Sequence, residues 1–244
     1  MTMLADDISL HLSGFDLLRK VSIEVEAGKV TAIVGPNGAG KSSLLKVLTG
    51  ELQPTNGNVY LNRQPLSQWP LQHRAQILGV LPQHTLLNFP FTADEVVGLG
   101  RIPHQTGSAK DAEIVAEALR LVDASYLQKR FYTQMSGGEK QRVQLARVLA
   151  QIWQPSEFGK QFLVLDEPTA AFDLSHQKLT LDIVASLASR GIGVVMVLHD
   201  LNLAARCADK LVVFNGGTIE AAGTPENILT EQLIDKVFGV KVTV

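Results

Sequence analysis

Three short stretches of this chain carry residue types and spacings that can do phosphate chemistry. Gly35-Pro36-Asn37-Gly38-Ala39-Gly40-Lys41-Ser42 follows the β-branched run Val30 to Val34 and leads into an apolar helical pattern from Lys41 to Thr49, stopped by Gly50. The spacing G-x-x-x-x-G-K-S/T between a buried strand and a helix is that of a phosphate cradle. Glycines let backbone N–H groups curl around phosphate oxygens, and the helix N-terminus adds partial positive charge. Lys41 then reaches the β and γ phosphates, and the Ser42 hydroxyl ligates Mg²⁺. Phe162-Leu163-Val164-Leu165-Asp166-Glu167 is a buried strand tipped by two carboxylates, at the edge where parallel sheets bind ligands. Asp166 can hold Mg²⁺ through water, and Glu167 can act as general base on an attacking water. Ser136-Gly137-Gly138-Glu139 is a capping box with two glycines in the helix's first turn, each costing ~1 kcal/mol against alanine. That cost points to an anion approaching bare N–H groups. It would be a second phosphate site, and one chain has only one glycine loop to fill.

The elements that must position these residues read as an interrupted α/β pattern. Val21, Ile23 and Val25 alternate with Ser22, Glu24 and Glu26, the period of a half-buried strand. Asn56-Gly57 is expected to be a turn, with strands near Val59 to Leu61 and Ile77 to Val80. From about 85 to 151 the pattern is helical. Thr92 and Glu95 form a capping box, and Ser108 starts a helix with Val115, Ala118, Leu119 and Val122 on one face. Ser136 opens another helix, to about Gln151. Strands then resume at Phe162 to Leu165 and Val194 to Leu198, around a helix from Leu174 to Arg190. Asn215-Gly216-Gly217 joins a hairpin, and Thr224-Pro225 starts a helix.

The 244 residues allow one large domain or two small ones, and 45% apolar residues exclude disorder. A net charge of −2 argues against a dedicated nucleic-acid binder. Cys207 stands alone, so no intrachain disulfide forms. The apolar runs are strand-sized, and Met1 to Asp7 does not read as a signal peptide, so a cytoplasmic chain is expected. His11, His73, His84, His104 and His176 lack metal-ligand spacing and read as surface or satisfied histidines. Arg142 and Arg147 are expected to form local ion pairs on the helix after Ser136.

With these motifs in this order, the chain resembles the ATP-binding subunits of ABC transporters over its whole length. Met135-Ser136-Gly137-Gly138-Glu139 is similar to the family signature, which usually begins with Leu. Gln83 stands where the family has its Gln loop, Ala170-Ala171-Phe172-Asp173 at the D-loop, and His199 at the switch histidine. The resemblance implies an α/β fold: a P-loop NTPase, RecA-like core (1–84 and 152–244), an antiparallel β portion near the N-terminus, and an inserted helical subdomain (85–151). It implies ATP and Mg²⁺ as cofactors, with Gly35 to Ser43 on the nucleotide and Ser42, Gln83 and Asp166 on the metal. Catalysis falls to Glu167, His199, Lys41, Gln83 and Asp173. The implied assembly is a head-to-tail homodimer in which Ser136, Gly137 and Gly138 close on the partner's ATP. An integral-membrane permease dimer and, indirectly, a periplasmic binding protein complete it at the cytoplasmic face of the inner membrane. The family's adenine-stacking aromatic is not evident; the matching position is near Leu12, with His11 and Phe15 adjacent. Phe89-Pro90-Phe91-Thr92, Val97 to His104 and the insert Trp153 to Gln161 are similar to importers of iron chelates, haem and cobalamin. Leu145 to Trp153 with Asp173 to Gln177 looks most like haem importer ATPases. The alternatives are a cobalamin or siderophore importer, or a soluble ABC ATPase such as an iron–sulfur assembly factor.

Overall fold

A computed structural model describes residues 1–83, 87, 89–170 and 172–241; His84 and Ala171 lie outside them. The strands are β1 (Thr2–Leu12), β2 (Phe15–Glu26), β3 (Val30–Val34), β4 (Asn56–Leu61), β5 (Gln64–Pro65), β6 (Leu78–Leu81), β7 (Phe162–Asp166), β8 (Gly193–Val197), β9 (Lys210–Asn215) and β10 (Thr218–Gly223). The helices are α1 (Lys41–Leu48), α2 (Leu71–Ile77), α3 (Ala93–Gly98), α4 (Ser108–Leu121), α5 (Gly137–Gln151), α6 (Leu174–Ser189), α7 (Leu201–Cys207), α8 (Pro225–Ile228) and α9 (Glu231–Phe238).

Two sheets form. β2-β1-β4-β5 is antiparallel; β10-β9-β3-β8-β7-β6 is parallel from β9 to β6, with β10 antiparallel at the edge. Strands β3, β7 and β8 are buried along their whole length, as expected of a parallel sheet covered on both faces. Side chains alternate between those faces. Ile33, Phe162, Val164, Val195, Val197 and Phe214 meet α1 and the antiparallel sheet. Ala32, Val34, Leu163, Leu165, Val194 and Met196 share a second cluster with α4, α5 and α6.

Most of the expected elements stand, including both capping boxes and Pro225 at the start of α8. Asn56-Gly57 is not a turn but the first two residues of β4. Gly57 is needed there at φ 85°, because a Cβ would fall 2.4 Å from the Asp7 carbonyl of the neighbouring strand. The pair lies beside an irregularity in the β1–β4 register, between Asp6 and Ser9, a place where glycine reads like a turn signal. The two arginines of α5 also differ from expectation. Arg142 reaches off its own helix to Asp123 and Tyr126. Arg147 donates to Gln144 Oε1 at 2.8 Å and faces the Val80 carbonyl; both are neutral groups, and burial pushes its guanidinium pKa down.

Candidate active site

Four neighbouring parallel strands end at one edge of the large sheet, and each delivers one part of the site. β3 leads into the glycine loop, β6 into Gln83, β7 into Asp166 and Glu167, and β8 into His199. Leu17, Gln83, Glu167 and His199 line a cavity of about 680 Å³ with Asn37, Gly38, Lys41, Ser42 and Ser43 of the loop, and Asp166 lines a smaller cavity that shares Ser42 and Gln83 with it.

The loop geometry explains its glycines. Gly35 holds φ 154°, and a Cβ would sit 2.1 Å from the Phe214 carbonyl; at Gly40, φ 102°, it would sit 2.7 Å from the Leu17 carbonyl. The loop is thus threaded between β9 and β2 where only glycine fits. Lys41 is buried, and its Nζ donates to the Gly35 and Pro36 carbonyls at 2.7 and 2.8 Å. Burial pushes the ammonium pKa down, against the opposing pull of Glu167 and Asp166. Phosphate oxygens would offer this cation stronger acceptors than two loop carbonyls.

Glu167 sits at φ 51°, left-handed for a residue with a Cβ, the kind of backbone strain that collects at functional sites. Its Oε1 is 2.5 Å from His199 Nε2, and its Oε2 accepts from Gln83 Nε2 at 2.8 Å. Gln141 of α5 donates to its backbone carbonyl at 3.2 Å. Gln83 and His199 therefore converge on the carboxylate itself. Sequence spacing places them near the site but carries no sign of this convergence.

Asp166 is buried. Burial raises its carboxyl pKa, partly offset by a hydrogen bond from Ser42. Its Oδ1 has no hydrogen-bond partner. An orphaned carboxylate oxygen beside a hydroxyl, with Gln83 on the same small cavity, fits one hard divalent cation that takes its remaining ligands from phosphate and water. Among the described residues no group of three or more His, Cys, Asp or Glu could hold a metal alone.

The remaining expected residues lie elsewhere. Ser136, Gly137 and Gly138 do not line this cavity. Ser136 accepts from the Glu139 N–H at 3.3 Å, and Glu139 accepts from the Ser136 N–H at 2.8 Å. A Cβ at Gly137 would meet nothing within 4 Å, and its φ is not left-handed. Among the described residues no contact requires this glycine. Asp173 caps α6 by accepting from the His176 N–H at 2.9 Å. That bond, with the Ser175 hydroxyl and the His176 ring, holds its carboxyl far below the usual carboxylate range. The residues considered for adenine, Leu12, His11 and Phe15, are exposed and do not line the cavity; Leu17, which the sequence did not single out, does.

The sequence pattern that defines the ABC transporter family matches residues 18–170, and the chain belongs to that family. As a member it binds nucleotide and hydrolyses ATP. It is 48% identical over 239 residues to the hemin import ATP-binding protein HmuV of Pseudomonas aeruginosa, covering 98% of this chain and 93% of that protein. It is 47% identical over 242 residues to the protein of the same name from Gloeobacter violaceus, covering 98% and 88%. Its fold superposes with TM-score 0.81 on a putative metal-chelate type ABC transporter in an inward-facing conformation, at 27% identity and 98% and 89% coverage.

Proposed function

We propose that two copies of this chain bind two ATP molecules head to tail and power haem import through a membrane permease. The cavity where Lys41, Glu167, Gln83 and His199 converge carries the chemical part of this reading. The similarity to two hemin import ATP-binding proteins over 98% of the chain supports the cargo.

The loop from Gly35 to Ser43 wraps the phosphates of one ATP, and Lys41 exchanges its two carbonyl acceptors for β- and γ-phosphate oxygens. Ser42, Asp166 and Gln83 would hold Mg²⁺, which when bound neutralises phosphate charge. Glu167 takes a proton from water as the water oxygen attacks the γ-phosphorus, and ADP leaves. This is positioning and charge stabilisation rather than covalent catalysis. His199 and Gln83 aim the carboxylate, and Asp173 fixes the start of α6 beside the dimer contact. The other end of the nucleotide site is supplied in trans. The exposed helix start at Ser136 and Gly137 suits the partner's γ-phosphate.

The helical subdomain, 85–151, would meet the permease. Phe89 and Ile102 expose 66% and 73% of their surface, and Phe91 and Leu99 are also exposed. A small local core under the helices would have buried these side chains, so a partner contact is the better reading. No helix among the described residues is long and apolar enough to cross a membrane, and the chain would sit peripherally on the cytoplasmic face. A periplasmic binding protein completes the system.

The test is ATP-driven uptake by the complex with its permease, comparing haem, cobalamin and an iron–siderophore. Haem uptake abolished by Lys41→Ala supports the proposal. Preference for cobalamin or a siderophore rejects the cargo but leaves the ATPase chemistry standing.

A further inference from the structure

The insert 153–161 and the turn 99–103 take no part in the chemistry above, yet they meet on α2. The insert is pinned from three sides. Its Phe158 ring stacks on His73 of α2 with centroids 3.9 Å apart. The Lys160 carbonyl accepts from Asn62 Nδ2 at 2.9 Å, and the Trp153 carbonyl accepts from Arg190, past the end of α6, at 3.2 Å. Buried Gln161 then gives both protons of its amide, to the Gln76 carbonyl at 3.0 Å and to the Gln154 carbonyl at 2.9 Å. One side chain closes the insert on itself and clamps it to α2. The hold continues through α2. Gln76 Nε2 donates to the Pro103 carbonyl at 2.8 Å, and Gln151, the last residue of α5, donates to the Ala75 and Leu78 carbonyls at 2.7 and 3.1 Å. The insert also meets the turn directly, where Gln154 Oε1 accepts from buried Arg101 at 3.2 Å. Two strands start at this seam: β6 at Leu78, directly after α2, and β7 at Phe162, directly after Gln161. Their other ends deliver Gln83 and Glu167. Hydrogen bonds thus tie the rear of two catalytic strands to the turn that carries exposed Ile102.

We propose that Gln76 is a positioning residue for transport: it fixes the permease-facing turn 99–103 to strands β6 and β7, while Gln161 and the insert hold Gln76 in place. The inference rests on the permease contact read above at Ile102. Alone, a glutamine would be a weak tether, because ordering its side chain costs rotamer freedom. Here its backbone is already fixed by Gln161, and linked hydrogen bonds strengthen one another. If the turn shifted against the strands, the Gln76 amide and the Pro103 carbonyl would both be left unpaired in a partly buried seam. ATP hydrolysed at Glu167 does work on the permease only while turn and strands move as one body. The insert therefore has a task in transport, though it reaches neither the nucleotide cavity nor the exposed apolar side chains.

The experiment uses the complex with its permease in proteoliposomes. It reads cargo taken up per ATP hydrolysed, with whichever of haem, cobalamin and an iron–siderophore the complex carries. Gln76→Leu, with Gln76→Ala as its smaller counterpart, removes the donor. Gln76→Lys keeps a donor of similar reach, and Ile102→Ser perturbs the permease contact itself. ATPase activity of the chain without its permease and its urea midpoint are measured beside them. Gln76→Leu and Gln76→Ala should lose roughly fivefold in cargo per ATP, the scale of one hydrogen bond left unpaired in a partly buried site, with the permease-free ATPase unchanged. Gln76→Lys should transport as the parent does. Parental coupling in both donor-less variants, while Ile102→Ser uncouples, overturns the proposal and leaves the permease contact standing. Gln76→Lys as poor as Gln76→Leu overturns it too, because the donor would then not be what matters. So does a fall in permease-free ATPase as large as the fall in coupling, with a lowered urea midpoint, since Gln76 would then serve folding alone. Parental coupling in Ile102→Ser removes the permease contact at this turn and this inference with it.

Discussion

Replacing Glu167 with Gln removes a base while sparing the shape that holds it. The carboxylate has one oxygen on Gln83 Nε2 at 2.8 Å and the other at 2.5 Å from His199 Nε2. A glutamine can keep both contacts: its carbonyl oxygen accepts from Gln83, and its amide donates to a neutral His199 ring. Lys41, the glycine loop and Asp166 are untouched, so ATP should bind as before. General-base catalysis contributes ~10²–10⁴-fold, about 3–5 kcal/mol of barrier at 1.36 kcal/mol per tenfold. Steady-state ATPase of purified Glu167→Gln should therefore fall at least about a hundredfold, and the chain should accumulate as an ATP-bound dimer. The measurement pairs phosphate release with equilibrium binding of a fluorescent ATP analogue. A turnover within tenfold of the parent, with binding unchanged, refutes the assignment of Glu167 as the base. A fall matched by lost binding also refutes it, since the loss would then be one of ground-state affinity.

A bulky residue at Gly137 should spoil the partner's site and not its own. With Lys41→Ala, the two changes on different chains of a mixed dimer leave one site intact, and on the same chain leave none; equal counts of occupied sites would refute the trans arrangement. Asp166→Asn should weaken the magnesium dependence of ATP hydrolysis more than it weakens nucleotide binding in EDTA, and equal losses would argue against a cation at the orphaned oxygen. Arg101 is buried and donates to Asp111 at 2.8 Å, to the Ala150 carbonyl at 2.6 Å and to Thr106 at 2.9 Å. Arg101→Met strands these acceptors and should cost about 2–4 kcal/mol in urea unfolding, reduced from the full cost of a broken buried pair because Asp111 is partly exposed. Burial pushes the Cys207 thiol from 9.0 up to about 11. Near pH 8 the folded chain therefore carries about a hundredfold less thiolate than the unfolded one, and its alkylation should be markedly slower than that of the unfolded chain. Polar substitution at Ile102 should uncouple ATPase activity from uptake without lowering ATP affinity, whereas a loss of folding stability instead would return that side chain to the core.

What was legible in the sequence was local. The cradle, the carboxylates after Leu165 and both capping boxes depend on residue types within a few positions of one another, so spacing alone defines them. The parallel sheet follows as well, because Val30 to Val34 and Val194 to Leu198 are too apolar along both faces for any other place. What escaped depends on who meets whom across the fold. Arg142 finds Asp123 nineteen positions away, Gln83 finds Glu167 eighty-four away, and Gly57 is required by the carbonyls of another strand. Leu17 enters the cavity from β2 with no motif around it.

The glycines carry this distinction one step further. Gly35 and Gly40 are accounted for inside the chain, since a Cβ at either would strike backbone at 2.1 or 2.7 Å. Gly137 is not: its backbone is ordinary, the space beside it is open, and alanine there would favour the helix by ~1 kcal/mol. A residue that weakens its own helix and relieves no contact in its own chain makes physical sense when the contact belongs to another molecule. The same first turn carries exposed Gly137 at the positive end of the α5 dipole, which suits an approaching anion. On the two-copy reading proposed above, the molecule Gly137 would meet is the nucleotide held by the second copy.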